Sequence, residues 1–238
     1  MATETSNTID IYGLTDWNEM VKVASAAPPV VVGGTIFYID DTADGVYEFF
    51  DADGSVIENV DVGDKPYAYK VITPGFKDKY YVYHDELYEG RWTYFDNDGM
   101  GYVVESLGTS TGVGSGKTNT ETVMTKDNGA YITADSNRIP TIWYRLQQAR
   151  LAKAGGCNDW FVPSKQEIEE LRLAVESGSI TGGVAAGSSY NTSVFKSNAL
   201  WSSSEDGGPS AWNWFNNAQR YLSTSKTEQA YVFFTRAF

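Results

Sequence analysis

A chain of 238 residues with 42% apolar content can bury one sizeable core without staples, and its net charge of -13 argues against a nucleic-acid or anionic-membrane partner, since both reward clustered Lys and Arg. One cysteine, Cys157, rules out an internal disulfide, and with His84 as the single histidine it also rules out the usual Cys/His zinc sites. No apolar run approaches the roughly 18 residues that span a membrane, and no leader with a small-residue cleavage site opens the chain, so it reads as soluble with no membrane insertion.

Residues 1–29 are polar, carry one short helical candidate at Thr15 to Ala24 and stop at Pro28-Pro29, which reads as an attachment or linker segment. From Val30 to about Val104, β-branched and aromatic runs ("VVVGGTIFYID", "GVYEFF", "YAYKVI", "KYYVYH", "RWTYF") alternate with turn clusters, the pattern of antiparallel sheet. Two helices are expected next. The first has Pro140 at its first helical position, Ile142, Trp143, Leu146 and Ala149 on one face, and Gly155-Gly156 as its stop. The second opens on a capping box of Ser164 and Glu167, repeats Ile168, Leu171 and Val175 at helical spacing, and ends at Gly178. Residues 178–198 turn to Gly, Ser, Thr and Asn, a long surface loop, and the last forty return to short strands.

The stretch "STGVGSGKTN" (110–119) imitates a phosphate-binding loop. Such a loop needs a first glycine where this chain has Thr111, and it must open a helix, yet "TNTETVMTKDNG" is rich in residues that favour turns, so none is expected there. The runs "DADGSVIEN" and "DNDGMGYVVE" look faintly like calcium loops, but their glycines fall at the fourth place and Leu107 stands where the second needs its closing Glu, so they read as β-turns. A structural calcium ion held by scattered carboxylates stays open, and no other cofactor is expected. His84 follows "YYVY", whose alternating aromatics imply a half-buried strand, and Cys157 has no local activating partner, which leaves no assigned catalytic residue.

Four segments carry a resemblance: "GGTIFYID" (33–40), "GVGSGKTNT" (112–120), "CNDWFVPSKQEIEEL" (157–171), and "LWSSSE" with "AW" and "YVFFTRAF" (200–238). Together they resemble the bacterial and phage C-type-lectin-like domains related to the C-terminal domain of the Legionella collagen-like adhesin and, more distantly, to formylglycine-generating enzymes. The resemblance covers residues 30–238 and implies an α+β C-type-lectin fold with short antiparallel strands, two helices and long loops. In that family the second motif is a scaffold loop, which Gly114, Gly116, Asn119 and Thr120 fit. Formylglycine generation needs paired cysteines, so that activity is not implied here.

The same fold serves the variable proteins of diversity-generating retroelements, on phage tails and bacterial cell surfaces, where a C-terminal segment holds diversified ligand-binding residues. The resemblance implies a non-catalytic binding protein for a cell-surface protein or glycan, with its variable region at about 200–238. Trp201, Trp212, Phe215, Phe233 and Phe238 are expected in the core, with Lys226 as framework. Asp206, Gly207, Gly208, Ser210, Asn213, Trp214, Asn216, Asn217, Gln219, Tyr221, Ser223, Thr227 and Gln229 are the contact candidates, and they have the Tyr/Trp plus Ser/Gly/Asn composition of a paratope. The alternatives are a fixed-specificity adhesin or lipoprotein domain of the same fold, and an enzyme using Cys157 or a nucleotide at Gly116 to Thr118. An oligomer is left open.

Overall fold

The computed structural model describes residues 28–75, 78–84, 86–93, 106–126, 139–180, 199–215 and 220–238. The expected helix at Thr15 to Ala24, the second acidic turn at 96–105, and most of the expected loop at 178–198 lie outside them. The first half folds into strands β1 (Val30–Val31), β2 (Thr35–Ile39), β3 (Val46–Phe50), β4 (Val56–Ile57), β5 (Ala68–Thr73), β6 (Tyr80–Tyr83) and β7 (Tyr88–Arg91). Helices α1 (Ser115–Thr125), α2 (Ile142–Leu151) and α3 (Lys165–Glu176) follow. The chain closes with β8 (Ala199–Glu205), β9 (Ser210–Phe215), β10 (Arg220–Ser225), β11 (Gln229–Val232) and β12 (Thr235–Ala237).

These strands form three sheets, with orders β1-β5-β3-β4, β12-β6-β2 and β10-β9-β8-β11-β7. The result is a mixed α+β architecture with no closed barrel among the described residues. Named strands pair antiparallel except β8 with β11, which are parallel through Tyr231 and Leu200. The last strand ties the ends of the domain together: β12 pairs with β6, and Arg236 clamps Asp159 with two bonds (2.9 and 3.0 Å) while donating to the carbonyls of Val31 and Val32. A bidentate guanidinium–carboxylate pair of this kind adds orientation as well as energy.

Two apolar clusters fill the interior. One gathers Trp92, Trp143, Trp160, Trp201, Val82 and Phe234; the other Phe37, Tyr81, Phe161, Ile168, Leu171, Leu200 and Phe233. A buried indole needs an acceptor for its N–H. Trp92 finds the Ser202 carbonyl (2.9 Å), Trp143 the Trp92 carbonyl (2.7 Å), Trp160 the Ala154 carbonyl (2.8 Å) and Trp201 the Gly90 carbonyl (3.3 Å).

The capping box at Ser164 and Glu167 and the buried face of α2 match the expectation; on α3, Ile168 and Leu171 are buried as expected, with Ala174 buried where Val175 is only half-buried. Three local features depart from it. Helix α2 is shorter than expected at both ends: Pro140 precedes the N-cap Thr141, whose hydroxyl accepts from Tyr144 N at 3.2 Å, and the helix stops at Leu151, before the Gly155-Gly156 pair. Strand β6 is covered on both faces, so Tyr81, Val82 and Tyr83 are all buried instead of alternating. The third departure is α1, a helix in the segment where none was expected.

Thr and Asn disfavour helix because their side chains compete for the backbone, and in α1 tertiary partners remove that competition. The Asn119 amide donates to Ser110 O (2.7 Å) and Ser203 Oγ (3.1 Å) and accepts from Ser110 N (2.8 Å), while Thr120 Oγ1 accepts from Val162 N (3.0 Å). On the exposed side, Thr122 and Thr125 bond back to the carbonyls one turn earlier.

Candidate functional site

The glycine loop does open a helix, but the place of an anion at its N-terminus is taken by the protein's own Glu167 carboxyl group. Gly114, at φ 85, is the left-handed N-cap of α1. Its N–H donates to Glu167 Oε1 at 2.9 Å, Gly116 N–H adds a longer bond at 3.4 Å, and Ser164 N–H holds Oε2 at 2.7 Å. The carboxylate that caps α3 therefore also occupies the place at α1 where a phosphate would sit. Glu167 is fully buried, and burial pushes its pKa up to about 7 against the downward pull of these N–H donors. Magnesium–ATP is expected to leave the melting temperature unchanged, in wild type and in Lys117→Ala alike; a concentration-dependent rise in a thermal-shift assay would contradict this, because a ligand of the native state must stabilise it.

The second enzymatic alternative meets a similar obstacle. Cys157 is buried, with its Sγ 3.5 Å from Val31 O, and burial pushes its thiol pKa up, away from the thiolate that nucleophilic chemistry uses. His84 packs edge-on against Trp160 at 5.2 Å. The first acidic turn is a β3–β4 hairpin turn: Asp53 Oδ1 accepts from Ser55 N and Oγ, and Gly54 N donates to Asp51 O. Among the described residues, no group of three or more His, Cys, Asp or Glu side chains is placed to hold a metal ion.

The C-terminal sheet is built around a buried ion pair. Lys226 Nζ lies 2.5 Å from Glu205 Oε1, with both side chains almost fully excluded from solvent. Glu205 Oε2 accepts from Leu107 N (2.8 Å), and Thr109 Oγ1 accepts from Glu205 N (2.7 Å). Lys226 Nζ rests 4.4 Å from the Trp92 ring centroid, its backbone N–H donates to Pro209 O, and its carbonyl accepts from Thr93 N. Burial lowers the Lys226 pKa, and the Glu205 pair opposes that shift. This cluster fixes the β8–β9 loop against the β10–β11 turn, so Lys226 serves as framework in the physical sense of an internal tether.

The candidate contact residues divide into distinct places. Asp206 and Gly207 are exposed and Gly208 half-buried on the β8–β9 loop, with half-buried Ser210 opening β9; beside them lie buried Thr227 in the β10–β11 turn and exposed Gln229 at the start of β11. Gln229 donates to Glu89 across β11 and β7. Ser223 is exposed on β10, the outermost strand of the sheet. Asn216, Asn217 and Gln219 lie outside the described residues.

Three candidates are buried, against the expectation: Thr227, in the turn that Lys226 tethers, and two on β9. Asn213 and Trp214 are both buried, because β9 is covered on both faces, and Trp214 joins the second apolar cluster. Phe215, expected in the core, is 38% exposed at the strand's end, and Trp212 is half-buried under the Lys165 ammonium, 3.5 Å from its ring. Burial on β9 does not alternate: cover on both faces buries the neighbours Asn213 and Trp214 alike, and Phe215 is exposed where the strand ends. Trp201 and Phe233 are buried as expected, while Phe238 is half-buried and stacks on Tyr69 with centroids 4.0 Å apart.

Tyr221 lies opposite Trp214 in the hairpin register, half-buried, and its hydroxyl donates to Lys165 O at 2.8 Å. The β9–β10 hairpin is thereby fastened to the first turn of α3, and Ser204 Oγ, accepting from Lys165 N at 3.0 Å, fastens β8 to the same turn. Among the described residues no helix is long and apolar enough to cross a membrane. No family model matches the chain, and no curated protein matches it in sequence.

Proposed function

We propose that this chain is a non-catalytic binding protein of the retroelement-variable type. In this reading it presents its C-terminal segment on a C-type-lectin-like scaffold, at a phage tail or bacterial cell surface, to a cell-surface protein or glycan. The observation that carries the reading is the division of residues 199–238 into two populations. Trp201, residues 202–205, Ala211, Lys226 and residues 232–237 are buried and bonded into the rest of the fold; Asp206, Gly207, Ser223, Ser225 and Gln229 are exposed on loops and on an edge strand.

Exposed positions away from special features change stability by only about 0.5 kcal/mol on substitution. A frame tethered from inside, as here by Glu205, Lys226 and Arg236, therefore tolerates many sequences on its outside. Ser, Gly and Gln at those positions supply adaptable hydrogen bonds, as binding loops do. The internal carboxylate at α1 and the buried Cys157 thiol weigh against the two enzymatic alternatives.

The test is binding of fluorescently labelled full-length chain to a panel of bacterial cells. Asp206→Arg, Ser223→Arg and Gln229→Arg are each expected to weaken binding by about tenfold or more, as large charged intrusions into an interface do, with melting temperatures within about 2 °C of wild type. Leu151→Lys, an exposed change on α2, should bind as wild type. Equal binding by all four variants would contradict the assignment of the surface.

A further inference from the structure

Between α3 and the β9–β10 hairpin lies a cleft of about 540 Å³, within the range of roughly 300 to 1,000 Å³ that suits small-molecule ligands. Trp214 and Tyr221 form part of its wall, meeting edge-on with centroids 5.0 Å apart. Arg172 lies 5.2 Å from the Trp214 ring, held by Glu169 and Glu176. Four other buried indoles all donate their N–H to a carbonyl, but Trp214 Nε1 is buried with no partner. An unmatched buried donor is costly unless something supplies an acceptor.

Two further lining residues, Lys165 and Arg220, have no carboxylate partner among the described residues. The cleft thus carries three cations against two carboxylates, in a chain whose net charge is -13. From the orphan indole N–H, the excess of cations over carboxylates and the aromatic wall we infer that this cleft binds an acidic sugar, a hydroxyl-rich ring bearing one carboxylate, of the uronic- or sialic-acid class. This goes beyond the binding-surface reading above, since none of the residues lining the cleft is among the exposed positions named there.

Each part of such a ligand meets a matching group. Its carboxylate pairs with Lys165 and Arg220. Its hydroxyls, which are donors as well as acceptors, use Gln166 and the Glu176 carboxylate, and one oxygen takes the Trp214 N–H. A neutral sugar leaves both cations unused, and an acidic peptide meets Glu169 and Glu176 as like charges.

Saturation-transfer NMR and calorimetry on the full chain would use glucuronic acid and N-acetylneuraminic acid as probes, with glucose, N-acetylmannosamine and tri-aspartate as comparisons. The acidic sugars are expected to bind about tenfold or more tighter than the neutral ones, and Lys165→Met, Arg220→Gln and Trp214→Phe should each weaken them by a similar factor. Equal affinity for glucose, tighter binding of tri-aspartate, or no saturation transfer from either acidic sugar would overturn the assignment. Cell binding separates the two readings. A chain that binds cells through Asp206 and Ser223 but ignores acidic sugars overturns only the cleft; one that binds acidic sugars through Lys165 and Arg220 but no cells overturns only the display reading.

Discussion

Replacing Lys226 with Met is expected to destabilise the chain by about 3–5 kcal/mol, because it leaves the Glu205 carboxylate buried and unpaired. The methionine keeps much of the lysine's apolar stem over Trp92, so the loss reports the charge more than the packing. Glu205→Gln should cost a similar amount, since it strands the ammonium. The double variant Lys226→Met with Glu205→Leu should recover part of the loss, because a buried pair replaced by apolar groups is often close to neutral. Urea unfolding of the four proteins checks this. A single-variant loss below about 1 kcal/mol, the size seen for exposed ion pairs, would show that the pair is not the tether described here.

Gly116→Ala is the second large effect, and its sign is diagnostic. Near the start of a helix, alanine ordinarily stabilises relative to glycine by up to about 1 kcal/mol. Here a Cβ would lie 2.2 Å from Glu167 Oε2, 2.9 Å from Ser164 N and 3.0 Å from the Phe161 ring, displacing the carboxylate from its donors. The expected result is a loss of about 2–3 kcal/mol in thermal or urea unfolding. A stabilised Gly116→Ala protein would mean that Glu167 does not hold the α1 N-terminus.

The same carboxyl gives a pH signature. Its folded pKa, raised by burial to about 7, stands above the ordinary value of 4.5. Its contribution to stability is therefore fully present below pH 4.5 and is lost as pH rises through 7, a change of about 3 kcal/mol across the window. Glu167→Gln should remove that slope, together with part of the overall stability. An unchanged slope in the variant would assign the titration to another group.

Elements whose causes are local were legible in the sequence. Ser164 and Glu167, three residues apart before an apolar repeat, announce α3, and Ile142, Trp143, Leu146 and Ala149 give the buried face of α2 without knowledge of what covers it. Helix α1 was not legible, because its partners Ser203 and Val162 lie some eighty and forty residues away in the chain, and its own Thr and Asn residues argue against it. Glu167 was readable as a cap for its own helix; its reach to Gly114 and Gly116 was not.

The candidate surface divides in the same way. That residues 206–209 form a largely exposed loop follows from their Asp, Gly and Pro content. Which of Trp212, Trp214 and Phe215 face outward depends on a register set by pairing with β8 and β10, and on β9 being covered on both sides. The cleft depends on α3 docking beside that hairpin. Its three cations, Lys165, Arg172 and Arg220, are spread over distant segments of an acidic chain.

Sequencing this gene across many members of one host or phage population tests the central claim most directly. If a fixed frame carries a diversified surface, amino-acid changes will concentrate between residues 205 and 231 at exposed positions such as Asp206, Gly207, Ser223 and Gln229. Trp201, Glu205, Lys226 and the closing "FTRAF" will stay constant. Changes scattered evenly over the exposed positions of the whole domain would contradict diversification and leave an adhesin of fixed specificity on the same scaffold.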